Sequence, residues 1–124
     1  MKKRELVKTL HHYSKIRPFV LRDEGLATIM LYGRKVKIDI PKWVKKIEGF
    51  IKIIIDCTSS ELIRAIICDL YLRGKCDLEI ITKIPMSEST YYRTKRSIEE
   101  TLFQLFILDG DVSLIDILDA KILD

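Results

Sequence analysis

The sequence predicts a mainly α fold, a carboxy-terminal helix-turn-helix bundle with a small β-hairpin in the amino-terminal half. Three observations carry the prediction. Helix-starting residues at Thr58, Asp77 and Ser87, with breakers at Gly74, Pro85 and Gly110, mark out a helix of about 15 residues, a short one and a longer one. Apolar residues recur at helical spacing through much of the chain. The stretch that alternates instead, Lys35 to Ile40, follows a glycine.

Taken in order, residues 2–16 place Leu6, Val7, Leu10, Tyr13 and Ile16 on one helical stripe, and Arg17-Pro18 is expected to end that helix. Leu26–Tyr32 and Lys35–Ile40 are expected to pair around a turn at Gly33-Arg34. The second run puts Val36, Ile38 and Ile40 on one face and Lys35, Lys37 and Asp39 on the other. Asp39, ahead of Pro41, is expected to start a helix whose apolar face is Trp43, Val44, Ile47, Phe50, Ile51 and Ile54. Thr58-Ser-Ser-Glu61 reads as a capping box, in which the threonine oxygen meets an orphan amide and the glutamate reaches back. The helix it opens carries Ile63, Ile66, Ile67, Leu70 and Tyr71 and ends at Gly74. Asp77 caps a short helix with Leu78, Ile80, Ile81 and Ile84, which Pro85-Met86 breaks. Ser87 caps a third helix that runs to about Leu108, where Gly110 can stop it.

The third helix holds the candidate site. With Tyr91 at 0° and about 100° per residue, Lys95, Ile98, Leu102 and Leu105 fall within about 40° of it and form a core stripe, Lys95 snorkelling from the edge. Ser89, Arg93 and Arg96 lie opposite, with Tyr92 on the flank. Two arginines, a hydroxyl and a tyrosine on the amino-terminal half of such a helix suit major-groove reading. Arg93 and Arg96 would reach base edges or phosphates, and Ser87, Ser89, Thr90 and Tyr92 would fix register on the backbone. Lys75 and Lys83 are weaker phosphate candidates. Glu88 suits the helix dipole better than a cytosine amine.

Charge is unevenly spread. Residues 1–58 hold 14 Lys/Arg against 6 Asp/Glu, residues 59–107 hold 7 against 7, and residues 108–124 hold 1 against 5. A division follows: a basic amino-terminal scaffold or partner-binding part (1–57), the helix-turn-helix module (58–108) and an acidic apolar tail helix (109–124). In the tail, Val112, Leu114, Ile115, Ile117, Leu118, Ile122 and Leu123 cover too much circumference for one neighbour to bury, so the tail either threads into the fold or meets a second subunit. No apolar run is long enough to span a membrane, and the basic start lacks the apolar segment of a secretory signal. Three cysteines without a Cys-x-x-Cys suit reduced thiols rather than a disulfide framework or zinc finger. His11-His12 point about 100° apart on a helix and chelate poorly, so no metal or cofactor is expected.

The run Leu72 to Ile81, then Ile84-Pro-Met-Ser-Glu-Ser-Thr-Tyr-Tyr-Arg-Thr-Lys-Arg96, then Ile98 and Leu102, resembles late-gene transcriptional regulators of phage, the ArpU/RinA/LtrC type. Their carboxy-terminal module is similar to the helix-turn-helix of sigma-factor region 4. The resemblance covers residues 60 to 105, and its most specific element is the Ser-x-Ser-Thr-Tyr-Tyr-Arg-x-Lys pattern at 87–95. Thr94 and Glu99 depart from it, standing where the family carries apolar residues, which implies different packing of the third helix. The resemblance implies a double-stranded DNA partner, activation of a late or packaging operon in a bacterial host cytoplasm and, by analogy with region 4, contact with RNA polymerase. A rival reading is an interaction protein that binds another regulator or polymerase without reading DNA. An enzyme is the least favoured: no Ser/His/Asp set, paired-carboxylate pocket or phosphate-cradling glycine loop stands out.

Overall fold

Helix α1 (Lys3–Leu21) is the element on which the others assemble. The computed structural model describes the backbone of residues 1–123 and the side chains of residues 1–118, so Ile122 and Leu123 of the expected apolar tail lie outside the described side chains. The chain is mainly helical, with one antiparallel hairpin in its amino-terminal half, as the sequence predicts. No described helix is long and apolar enough to cross a membrane.

Leu6, Leu10, Tyr13, Ile16 and Val20 are buried along α1. The helix does not end at Arg17-Pro18 but runs through the proline to Leu21. Proline removes one backbone bond, yet four residues beyond Ile16 the buried Val20 extends the stripe, and Arg17 is anchored to another helix. Past the end, Asp23 takes a left-handed φ of 58°, while its N–H donates to the Val20 carbonyl and that of Glu24 to Phe19, closing the helix.

Strands β1 (Leu26–Leu31) and β2 (Arg34–Asp39) pair in register from Leu26–Asp39 to Leu31–Arg34. The turn is Tyr32-Gly33 rather than Gly33-Arg34. Both turn residues have positive φ, the type I′ geometry that matches strand twist, and Arg34 already belongs to β2. Asp39 does not start a helix, because it closes the hairpin opposite Leu26. A single 3₁₀ turn, Lys42–Val44, follows Pro41 and leads into α2 (Lys45–Cys57).

Helix α3 spans Glu61–Ile67 and widens into a π turn, Cys68–Leu72, where the Arg73 N–H reaches five residues back to the Cys68 carbonyl at 2.9 Å. The expected capping box is displaced. Thr58 terminates α2 by donating its N–H to Ile54, so Ser60 becomes the cap and accepts from the Ile63 N–H at 3.3 Å. Glu61 is then the first helical residue, two positions too early to reach back. Helix α4 is short, Asp77–Ile81, with Cys76 at the cap position and Asp77 inside. Helix α5 (Glu88–Leu108) starts at the Ser87 cap and ends where Gly110, at φ 84°, donates to Ile107 and Asp111 donates to Phe106, as the sequence predicts. Helix α6 is Leu114–Leu123.

The buried residues form one cluster that draws on α1, the hairpin, α2 and α3 to α5. Phe106 meets Trp43 and Phe50 edge-to-face, at ring-centroid distances of 5.8 and 4.7 Å. The one buried charged residue among those described is Glu48 on α2. Its carboxylate accepts from the Tyr13 hydroxyl at 2.9 Å and from Arg17 Nε at 2.5 Å and Nη2 at 3.3 Å. Burial alone pushes this carboxyl up, but the bonds from Arg17 and Tyr13 outweigh it and hold Glu48 below its ordinary value. Replacing Glu48 by alanine leaves a buried phenol and a guanidinium without their acceptor, an expected loss of about 3 kcal/mol in chemical unfolding. Because the folded carboxyl is the stronger acid, its stabilisation is complete above the ordinary range and lost on acidification. The stability gap between the parent and Glu48→Gln should therefore be full at neutral pH and close below about pH 4.

Candidate nucleic-acid interface

The amino-terminal half of α5 presents the predicted face. Tyr91, Ile98 and Leu102 are buried, whereas Ser89, Tyr92, Arg93 and Arg96 are exposed. Further along, the buried side rotates: Phe103 and Phe106 are in the core and Leu105 is only half-buried. Thus the first half of the helix has a free outer face, while the second half is held by α2 as well.

Two contacts set the attitude of this half. The Tyr91 hydroxyl donates to Asp77 Oδ1 at 2.6 Å, and Lys95 Nζ reaches the same carboxylate at 3.1 and 3.2 Å. Burial raises the Asp77 carboxyl, but these donors prevail and hold it below the ordinary range, so it stays charged and binds α4 to α5. Lys95, expected to snorkel, does so towards this partner. Asp77 itself serves as the tether between two helices and is not the cap of α4.

At the start of α5 the hydroxyls are linked. Ser87 Oγ accepts from the Thr90 N–H at 3.2 Å and donates to Thr90 Oγ1 at 2.8 Å, and Ser89 Oγ lies 3.3 Å from it. These three residues are exposed, with Ser87 serving as cap. Lys83 is exposed in the turn before them. Tyr92 sets its ring edge-on to Tyr91 at 5.2 Å. Among the described residues neither Arg93 nor Arg96 pairs with a carboxylate; Lys95, between them, is bound to Asp77. Lys75 is placed apart from the others. It is half-buried, 3.6 Å from Asp69, in a cavity shared with α1.

A groove of about 410 Å³ runs beside this face, with Arg93, Ser97 and Thr101 of α5 on one side and Ile54, Thr58 and Ile63 on the other. Ser97 and Thr101 were not among the expected site residues, although their spacing of four from Arg93 puts them on one strip of the helix. Thr94 also lines the groove, and its hydroxyl donates to the Thr90 carbonyl at 2.9 Å. Among the described residues no group of three His, Cys, Asp or Glu is placed to hold a metal ion.

Comparison with family models, with curated proteins and with solved structures finds no match to this chain.

Glu99, the second departure from the resemblance, is half-buried on α5. Burial pushes its carboxyl up against the pull of Lys95, His11 and Lys3. A folded-state value above the unfolded one means that the charged form works against folding at neutral pH. Glu99→Gln should consequently raise the melting temperature at pH 7. The gain should shrink as acid protonates the parent side chain; a lower melting temperature for the variant at pH 7 would contradict this account.

Proposed function

We propose that the chain is a sequence-specific, double-stranded DNA-binding transcriptional regulator of phage or prophage type that uses α5 as its recognition helix. The observation that carries this reading is the exposed Arg93–Arg96 face. Two guanidinium groups without carboxylate partners among the described residues stand opposite the buried Tyr91–Ile98–Leu102 stripe, on a helix anchored along its other side. Arginine forks fit guanine edges and phosphates, and the exposed hydroxyls of Ser89 and Thr90 with Tyr92 and Lys83 suit backbone contacts. Ser97 and Thr101 extend the polar strip along the groove. Activation of late or packaging genes, with a contact to RNA polymerase in the bacterial cytoplasm, follows from the resemblance of residues 60–105.

Arg93→Ala and Arg96→Ala remove exposed side chains in a helix, so melting should stay near that of the parent. Titration against fragments of the encoding genome at several salt concentrations reads the rest. A base-reading arginine costs roughly 1–3 kcal/mol at the operator and relaxes one position; a phosphate-binding one weakens all sequences and lowers the salt slope by about one unit. A folded double variant that binds DNA like the parent rules out the recognition-helix assignment.

One observation favours association with another chain as an additional or alternative role. Leu108, Leu114, Ile115 and Leu118 are exposed around the start of α6, beside an acidic segment. Deleting residues 111–124 should lower the sedimenting mass or the melting temperature while sparing DNA affinity. Unchanged mass and melting with DNA binding lost would assign the tail to DNA contact instead.

A further inference from the structure

A cavity of about 300 Å³ lies where α1, the π turn, the α3–α4 connection and α5 meet. Its wall includes His11 and Lys15 of α1, Tyr71 of the π turn, Lys75 of the connection, Asp77 of α4 and Lys95 of α5. The connection is pressed tightly onto α1. Gly74 has a φ of 67°, and a Cβ there would stand 2.3 Å from Ser14 Oγ, so only glycine lets the chain pass.

The charges around this space do not cancel. Asp77 and Lys95 neutralise each other. Asp69 is shared by Arg73 at 2.7 Å and Lys75 at 3.6 Å, one carboxylate between two cations. Lys15 has no carboxylate partner among the described residues. Glu99, whose charge reaches Tyr71 from α5, offsets one more, so one positive charge is in excess, and Asp77, already engaged, is the one carboxylate in the wall among the described residues. Tyr71 adds an independent sign: it is 3% exposed, and its buried hydroxyl has no hydrogen-bond partner among the described residues. Buried hydroxyls without partners are uncommon and costly, and those that occur often await a ligand or water. Burial, with the charges of Glu99 and Asp77, pushes this phenol up, so it remains a donor.

We propose that this cavity binds a small oxyanion, a free phosphate or the phosphate or carboxylate end of a metabolite, held by Lys15 and Lys75 with the Tyr71 hydroxyl donating to it. An acceptor oxygen gives Tyr71 the partner it lacks, and the two lysines supply the counter-charge. A volume near the lower end of ligand pockets suits a ligand of this size. The site does not depend on the DNA-binding reading, although it shares Asp77 and Lys95 with the tether of α5.

The same chemistry could be met by a DNA backbone phosphate, and the test separates the two sources. Melting temperature is followed against sodium phosphate and against sodium chloride at matched ionic strength. Phosphate should give a saturable rise that chloride does not, with half-saturation weakened roughly tenfold in Lys15→Gln and in Tyr71→Phe. Tyr71→Phe removes a hydroxyl with no bond among the described residues, so this variant should fold at least as well as the parent. Lys83→Gln, outside the cavity, should respond like the parent. In chloride alone, Lys15→Gln should bind genome fragments with the parent's affinity. A phosphate response no larger than that of chloride, or one kept in full by either cavity variant, overturns the proposal. A Lys15→Gln protein that loses DNA affinity several-fold in chloride overturns it too, and makes the cavity a backbone contact. Should the chain bind no DNA, the phosphate arm still decides.

Discussion

Asp77 is the carboxylate on which the geometry of the carboxy-terminal half depends. Helix α4 is five residues long, too short to persist by its own hydrogen bonds. It keeps its place because Ile80 is buried and because Asp77 takes bonds from Tyr91 and Lys95 of α5. Both donors lie in the first two turns of α5, so one half-buried charge sets how that end of the helix stands on the domain. The Arg93–Arg96 face is exposed because its opposite side is occupied in this way. Glu48 has the equivalent role in the amino-terminal half, where it joins α1 to α2 through Tyr13 and Arg17.

Electrostatics along the chain look different once folded. The basic first half and the acidic end meet in space: Lys46 of α2 bonds both Asp109 and Asp111, just past the end of α5. Part of the asymmetry read from the sequence therefore goes into joining α2 to the segment after α5. Arg93 and Arg96 are outside that exchange, and what sets them apart from other exposed cations is their place opposite the buried stripe of α5.

Where neighbours along the chain decide the outcome, the elements were legible in the sequence, although the cap at Thr58, the turn at Gly33-Arg34 and the cap at Asp77 each moved by one or two positions. The Ser87 cap, the Gly110 stop and the Tyr91–Ile98–Leu102 stripe all depend on residues within a few positions of each other, and the structure has them as read. Signals failed where a distant element intervenes. Pro18 is a reliable helix breaker only if nothing beyond it is worth burying; Val20 and the Arg17–Glu48 pair, formed across 31 positions, keep α1 going. Glu48 sits between Ile47 and Ile51 on an apolar stripe, a visible oddity whose partners could not be named from α2 alone. Phe103 and Phe106 fall about 120° and 60° from Tyr91, off a stripe drawn for one neighbour; both are buried in the common core, and Phe106 meets Phe50 of α2. The α3–π turn junction, which carries Lys75 to the α1 side, has no marker in composition that separates it from an ordinary helix.

The 21-residue α5 has an end set among aromatic rings and an end carrying arginines. Such a helix is a stiff rod about 31 Å long, and Arg93 lies roughly 20 Å along it from Phe106. A tilt of about 10° at the Trp43–Phe50–Phe106 seat would carry the guanidinium groups some 3 Å sideways, more than a hydrogen bond tolerates. The aromatic seat is thus the fulcrum of a lever. Tyr91 and Lys95 tie the other end to Asp77, so the arginines keep their place only while the seat and the tether both hold.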